Sequence, residues 1–181
     1  MEDEKNPNED QVLIANARKD RRAFNALYQK YVQPVYRYQL NRIGAPAEAE
    51  DATAQTFLAA LEGLPRYRDD GHFAAWLFGI ARRKAMDHFR QQRRQTALQE
   101  STPSFDDDLL TSVEQHERLN GLRVKLHGLP EDEQELLRLR YAAQLSFAEI
   151  GKLMRLSEDA VKKRLYRMLE RLHAQMEANN D

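Results

Sequence analysis

The sequence predicts an all-α protein of two small helical domains, a helical bundle and a helix-turn-helix, joined by a flexible acidic linker. Three observations carry that expectation. Apolar residues recur at i, i+3 and i+4 in both halves of the 181-residue chain. Helix starts are marked by Ser, Pro and early carboxylates, and helix ends by Gly. Between the halves, "QTALQESTPSFDDDLLTS" replaces that periodicity with Ser, Thr, Pro and an Asp run. The first domain is placed at residues 8–95, the linker at 96–112 and the second domain at 113–177.

In the first domain Phe24, Leu27, Tyr28, Tyr31 and Val35 keep the helical pattern. Pro34 lacks a backbone donor and is expected to kink or break that helix. "IGAPAEAEDATAQTFLAALEGLP" then supplies a turn at Gly44, a Pro at the first helical position and a stop at Gly63 and Pro65. Its early carboxylates suit the positive end of a helix dipole. The loop "RYRDDGH" leads into "FAAWLFGIARRKAMDHFRQQRR", residues 73–94, which has two characters. Phe73, Trp76, Leu77, Ile80 and Ala81 want a core, while Arg82, Arg83, Lys84, Arg90, Arg93 and Arg94 load the remaining surface with positive charge.

In the second domain Pro130 is expected at the first position of a helix running through Leu136, Leu137 and Leu139. Ser146 with Glu149 three residues later forms a capping box, in which each side chain satisfies the other's orphan backbone donor. After the turn "RLS", Ser157 caps the next helix, with Val161, Leu165, Met168, Leu169 and Leu172 inward. Lys162, Lys163, Arg164, Arg167 and Arg171 are left outside. Two capped helices across a short turn, the second basic near its N-terminus, match a helix-turn-helix. An ordinary helical hairpin shares the pattern.

Composition gives 41% apolar and 31% charged residues and no cysteine, which excludes disulfides, thiolate nucleophiles and Cys-based metal sites. No apolar run approaches the roughly 20 residues of a membrane span, and "MEDEKNPNED" is acidic where a signal peptide is basic then apolar; no membrane insertion and a cytoplasmic location are expected. The net charge of -1 hides an uneven distribution. Residues 66–94 hold eight basic and three acidic side chains, and 152–172 seven basic and three acidic, while 100–117 hold six acidic and none basic. Two basic patches divided by an acidic stretch suggest two contacts with a polyanion; the alternative is that each is a solvated helix face.

"LPEDEQELLRLRYAAQLSFAEIGKLMRLSEDAVKKRLYRMLERL" resembles the fourth domain of bacterial sigma factors. "AFNALYQKYVQPVYRYQLNRIGAPAEAEDATAQTFLAALEGLPRYRDDGHFAAWLFGIARRKAMDHFR" resembles their second. In this order, with only a linker between, they are similar to the extracytoplasmic-function (ECF) sigma factors. The resemblance implies core RNA polymerase and promoter DNA as partners, an anti-sigma factor as a further candidate, and neither cofactor nor metal.

Carried onto this chain, the resemblance gives Glu48, Glu50, Asp51, Gln55, Thr56 and Leu58 a core-polymerase contact. The family usually shows Gln where Ala54 stands and Glu where Gln55 stands. Phosphorylation of Thr53 or Thr56 would add charge beside this contact. The minus-ten element, held as separated strands, falls to Arg68, Asp69, Asp70, Gly71 and His72 in the loop and to Trp76, Arg82, Arg83, Lys84, Asp87 and Arg90 on the helix. Phosphates need Arg and Lys, and extruded bases need apolar or aromatic surfaces. Trp76 serves either as a stacking platform or as core. The family commonly has Asn at Arg83, in an "ARN" that here reads "ARR", exchanging a donor and acceptor pair for donors with fixed charge; Arg83 is alternatively a partner of Asp87. The minus-thirty-five element falls to Ser157, Glu158, Ala160, Lys162, Lys163, Arg164, Arg167 and Arg171. The family also has Gly in the turn where Arg155 stands, so Arg155 is strained if its backbone is left-handed.

No catalytic constellation is visible. His72, His88, His116, His127 and His173 lack metal-ligand spacing, and Asp106, Asp107 and Asp108 lack the loop Gly and distal Glu of a calcium site. The expectation is therefore a sigma factor and not an enzyme. The rival readings are a helix-turn-helix regulator that binds duplex DNA without polymerase, and, more distantly, a phosphodiester-cleaving enzyme using Asp106 to Asp108 and a histidine.

Overall fold

A computed structural model describes residues 7–96 and 125–177. The first part contains α1 (Pro7–Lys19), a 3-10 turn (Arg21–Ala23), α2 (Phe24–Ile43), α3 (Pro46–Gly63), a second 3-10 turn (Leu64–Arg66) and α4 (Phe73–Thr96). The second contains α5 (Glu131–Leu137), which runs on into a π turn (Arg138–Ala142), then α6 (Phe147–Met154) and α7 (Glu158–Glu177). The proposed acidic linker, Asp106 to Asp108 and His116 lie outside the described residues.

Helix α2 is the spine of the bundle. Leu27, Tyr31, Val35 and Tyr38, spaced by three or four residues, are all fully buried on one face, and each contributes about 1.5–3 kcal/mol by leaving water. Helices α3 and α4 meet that face with Ala49, Ala52, Ala60, Ala74, Ala81 and Ala85, whose small side chains let backbones approach, and with Phe57, Leu77 and Phe78 filling between them. Pro34 does not break α2, contrary to expectation: the helix continues to Ile43. The ring removes one donor, but Tyr31 and Val35 on either side of it are both fully buried, and that packing outweighs one lost hydrogen bond. Gly44 ends α2 with φ 88°, the left-handed cap that glycine adopts freely.

Helix α1 is bolted on by polar groups. The Tyr31 hydroxyl donates to Asp10 at 2.5 Å, Lys30 pairs with Asp10 at 2.8 Å and with Glu9 at 2.7 Å, and Arg18 donates to the carbonyls of Leu64 and Tyr67. Ile14 and Ala17 add buried apolar contact.

In the second part, Pro130 is the N-cap of α5 and not its first helical residue, and its carbonyl accepts from the amides of Glu133 and Gln134 at 2.9 and 3.0 Å. The π turn was not legible in the sequence; by widening the spiral it turns Leu139 and Ala142 both into the core. Ser146 and Glu149 form the expected capping box at 3.2 and 2.7 Å, and Ser157 caps α7 through the amide of Ala160 at 3.2 Å. Val161, Leu165, Met168 and Leu172 are buried, with Leu169 partly so.

The turn between α6 and α7 is tight. A Cβ on Gly151 would meet the Leu156 carbonyl oxygen at 2.7 Å, so only glycine fits there. Arg155 carries the left-handed backbone, φ 59° and ψ 42°, without being glycine. Arg155→Gly is therefore expected to raise unfolding free energy by about 1 kcal/mol, read as a higher urea midpoint at constant slope; an unchanged or lower midpoint would mean the turn carries no strain.

Candidate nucleic-acid interface

Helices α3 and α4 leave between them a cavity of about 410 Å³. Tyr67 and Trp76 form its aromatic side, and Arg83 and Lys84 bring positive charge to its edge. Trp76 is half-buried: its ring packs on Tyr67 and Phe73 at centroid distances of 4.8 and 5.5 Å, while part of it faces the cavity. Gly63 makes room for it, since a Cβ there would lie 3.2 Å from the indole. Trp76 is thus both core and wall. Arg83 is exposed and donates to the Gly79 carbonyl at 3.2 Å, whereas Asp87 pairs with Arg90 at 3.6 Å. Among the described residues no Arg83–Asp87 pair forms, so that alternative is not realised.

The loop before α4 presents Arg68, Asp69 and Asp70 to solvent, with Gly71 and His72 half-buried. Asp69 accepts the Gly71 amide at 3.1 Å, and Gly71 has φ 77°, which closes the turn. Asp70 reaches the second part of the chain: it pairs with Lys152 at 2.6 Å, and that hydrogen bond holds its carboxyl below the usual carboxylate range. Arg82 also faces the second part, with Nε 3.6 Å from Glu135.

On the outer face of α3, Glu48, Asp51, Gln55 and Leu58 are exposed at spacings of three, four and three, one stripe along the helix, with Glu50 exposed beside it. Leu58 is 58% exposed, unusual for so apolar a side chain. Thr56 does not belong to this face. It is fully buried, its hydroxyl donating to the Ala52 carbonyl at 2.6 Å and accepting from Gln39 at 3.4 Å. Thr53 is likewise buried and bonded to the Ala49 carbonyl, so neither hydroxyl is open to phosphorylation. Both face inward because they lie one turn apart on the side of α3 that carries Ala49, Ala52 and Ala60.

Along α7 the cations are not equivalent. Lys163 and Arg167 are exposed. Lys162 pairs with Glu158 at 2.6 Å and lies over the Phe147 ring. Arg164 and Arg171 reach back to Asp132 and Glu133 of α5. Ser157 and Glu158 are exposed at the helix start and Ala160 is half-buried. The expected group is thus brought onto one helix, with Lys163 and Arg167 the cations least committed within the fold.

Sequence reasoning missed Glu135, which is 1% exposed. Its Oε1 accepts from the Tyr38 hydroxyl at 2.8 Å, and its Oε2 is hydrogen-bonded by Arg42 and lies 3.5 Å from Arg138. Burial, reinforced by this carboxylate, pushes the Tyr38 phenol far above its ordinary value. The available signal was positional: Glu135 stands four residues before Leu139 and next to Leu136, on a helix face that is otherwise core.

The fold is therefore a helical bundle bearing an aromatic and basic groove, followed by a capped helix-turn-helix, and among its described residues no helix is long and apolar enough to cross a membrane. The models for Sigma-70 region 2 and Sigma-70 region 4 match residues 27–95 and 119–172. The ECF RNA polymerase sigma factor ShbA of Streptomyces griseus is 36% identical, the match covering 76% of this chain and 78% of that one. The ECF RNA polymerase sigma factor BldN of Streptomyces coelicolor is 35% identical over 83% of this chain, which spans 59% of its length. Among solved structures, CnrH in complex with the cytosolic domain of CnrY is 26% identical with a TM-score of 0.68, covering 93% of this chain and 97% of that one. The chain belongs to the ECF family of RNA polymerase sigma factors.

The inward placement of Thr56 has a simple consequence. Thr56→Glu is expected to lower stability by about 3 kcal/mol or more, because it buries a charge without a partner. A thermal midpoint equal to that of the parent protein would put the hydroxyl on the outside.

Proposed function

We propose that this chain binds core RNA polymerase, reads a minus-thirty-five element with α7 and holds the opened minus-ten strand in the groove between α3 and α4. The observation that carries the reading is the groove itself. It sets an aromatic wall, Tyr67 and Trp76, beside Arg83 and Lys84 within one cavity, which suits an unstacked base and its phosphate. The same proposed surface takes in Arg68, Asp69, Asp70, Gly71 and His72 on the loop and Arg82, Asp87 and Arg90 on α4, of which Asp87 lines the cavity itself. Duplex DNA offers stacked bases, and a regulator that binds it without polymerase has no use for such a groove. On α7, Lys163 and Arg167 are best placed for the major groove.

The polymerase contact is assigned to Glu48, Glu50, Asp51, Gln55 and Leu58: carboxylates around one exposed leucine, the pattern of a docking face with a charged rim and an apolar centre. The polymerase performs the chemistry, and the chain contributes positioning only. An anti-sigma factor is a further proposed partner, supported by the similar chain CnrH having been solved in complex with another protein, the cytosolic domain of CnrY.

The deciding experiment is run-off transcription on a promoter pool with purified core polymerase: promoter-specific transcripts are expected only when this protein is added. DNA binding without any transcript would favour the duplex-binding regulator instead. For the docking face, Glu50→Lys with Asp51→Lys is expected to weaken core binding at least tenfold, about 1.4 kcal/mol, with the helical circular dichroism unchanged because exposed charges add little to folding. Retained affinity would remove α3 from the interface.

Arg83 supplies a separate test within the groove. If its guanidinium grips phosphate, Arg83→Asn lowers the salt slope of binding to single-stranded minus-ten DNA by about one ion and sharpens base preference at one position. An unchanged slope and preference would confine Arg83 to its bond with the Gly79 carbonyl.

A further inference from the structure

The two parts of the chain are packed against each other, and the contact is built around one carboxylate. Glu135 of α5 enters the first bundle where Tyr38 and Arg42 of α2 and Arg82 of α4 converge. Arg42 also takes Glu131 at 3.2 Å, and Arg138 braces both carboxylates from the π turn. Around this centre Lys152 of α6 pairs with Asp70 at 2.6 Å, Arg37 donates to Gln144 at 3.0 Å, and Leu153 packs over the glycine surface of α4 at Gly79. A buried carboxylate among three guanidinium groups fixes one geometry, since a small rotation of either part would leave several charges desolvated and unpaired.

We propose that Glu135 is a latch that closes the helix-turn-helix unit onto the strand-holding surface of the bundle, and that an opened DNA strand competes with it. Two residues of the proposed minus-ten surface, Asp70 and Arg82, are engaged by the second unit in the closed arrangement. Lys152 also stands where the strand loop meets solvent. A phosphate reaching Arg82 offers the charge that Glu135 supplies, and a strand crossing the loop must displace Lys152 from Asp70. The closed form thus occupies Asp70 and Arg82, beside the groove, until both units are drawn apart. The competition with DNA rests on the strand-holding function proposed above; the latch does not.

The absence of cysteine makes the test direct. Cysteines introduced at Val12 and Met176, both exposed and in different units, carry a donor and an acceptor dye on the full chain. The parent protein is expected to show one high transfer efficiency, and Glu135→Gln to lower it to that of two units held only by their connecting chain. Should Glu135→Gln lose helical circular dichroism, the exposed outer pair decides: Asp70→Lys lowers the efficiency, and Asp70→Lys with Lys152→Asp restores it. Parent-like efficiency in Glu135→Gln or in Asp70→Lys, or no recovery in the charge swap, overturns the latch. Single-stranded minus-ten oligonucleotide is expected to lower the efficiency of the parent protein. If the variants open and the oligonucleotide does nothing, the latch stands and the strand-holding function falls.

Discussion

One helix face constrains everything else in this protein. Leu27, Tyr31, Val35 and Tyr38 of α2 are fully buried, yet two of the four carry a hydroxyl that must find a partner in an environment without water. Tyr31 finds Asp10, which ties α1 to the bundle; Tyr38 finds Glu135, which brings in the helix-turn-helix unit. Gln39, one residue on, reaches the Ala81 carbonyl of α4 at 3.0 Å and Thr56 of α3. Each neighbour of α2 therefore arrives with an apolar surface and one polar group to match. Apolar burial supplies the driving force, and the paired polar tips select the arrangement, because a shifted neighbour would leave a buried donor or acceptor unmet.

The same logic explains where positive charge remains available. Arg42, Arg138, Arg164 and Arg171 are spent on carboxylates of α5, and Arg18 on two backbone carbonyls. Arg83 and Lys84 at the groove, Arg68 in the loop, and Lys163 and Arg167 on α7 take no salt bridge among the described residues, and all lie on surfaces a polyanion can reach. Counting basic residues along the chain cannot separate the two groups. Within residues 152–172 Arg164 and Arg171 contribute to the same local excess as Lys163 and Arg167, and only their distances to carboxylates on another helix tell them apart.

Boundaries and caps were legible because their causes are local. The capping box at Ser146 and Glu149, the cap at Ser157, the turn at Gly44 and the stop at Gly63 each depend on a few adjacent residues, and all formed as read. Pro34 was misjudged for the complementary reason: a local penalty was weighed without the burial of Tyr31 and Val35 beside it. Thr56 was placed on the outer side of α3 by the family resemblance, although the positions of Ala49, Ala52 and Ala60 mark its side as inward.

The sequence by itself determined the helical class, the order of the two units, the helix-turn-helix and the concentration of positive charge on α4 and α7, since periodicity and capping act over a few residues. Tertiary structure alone decided that Trp76 is both core and cavity wall, that Arg83 bonds Gly79 and leaves Asp87 to Arg90, and that Glu135 sits buried among Tyr38, Arg42 and Arg82. Glu135 and Tyr38 are separated by 97 residues. Nothing in the local pattern of either one names the other; the pairing arises because folding removes both from water at the same point, where each is the group that satisfies the other.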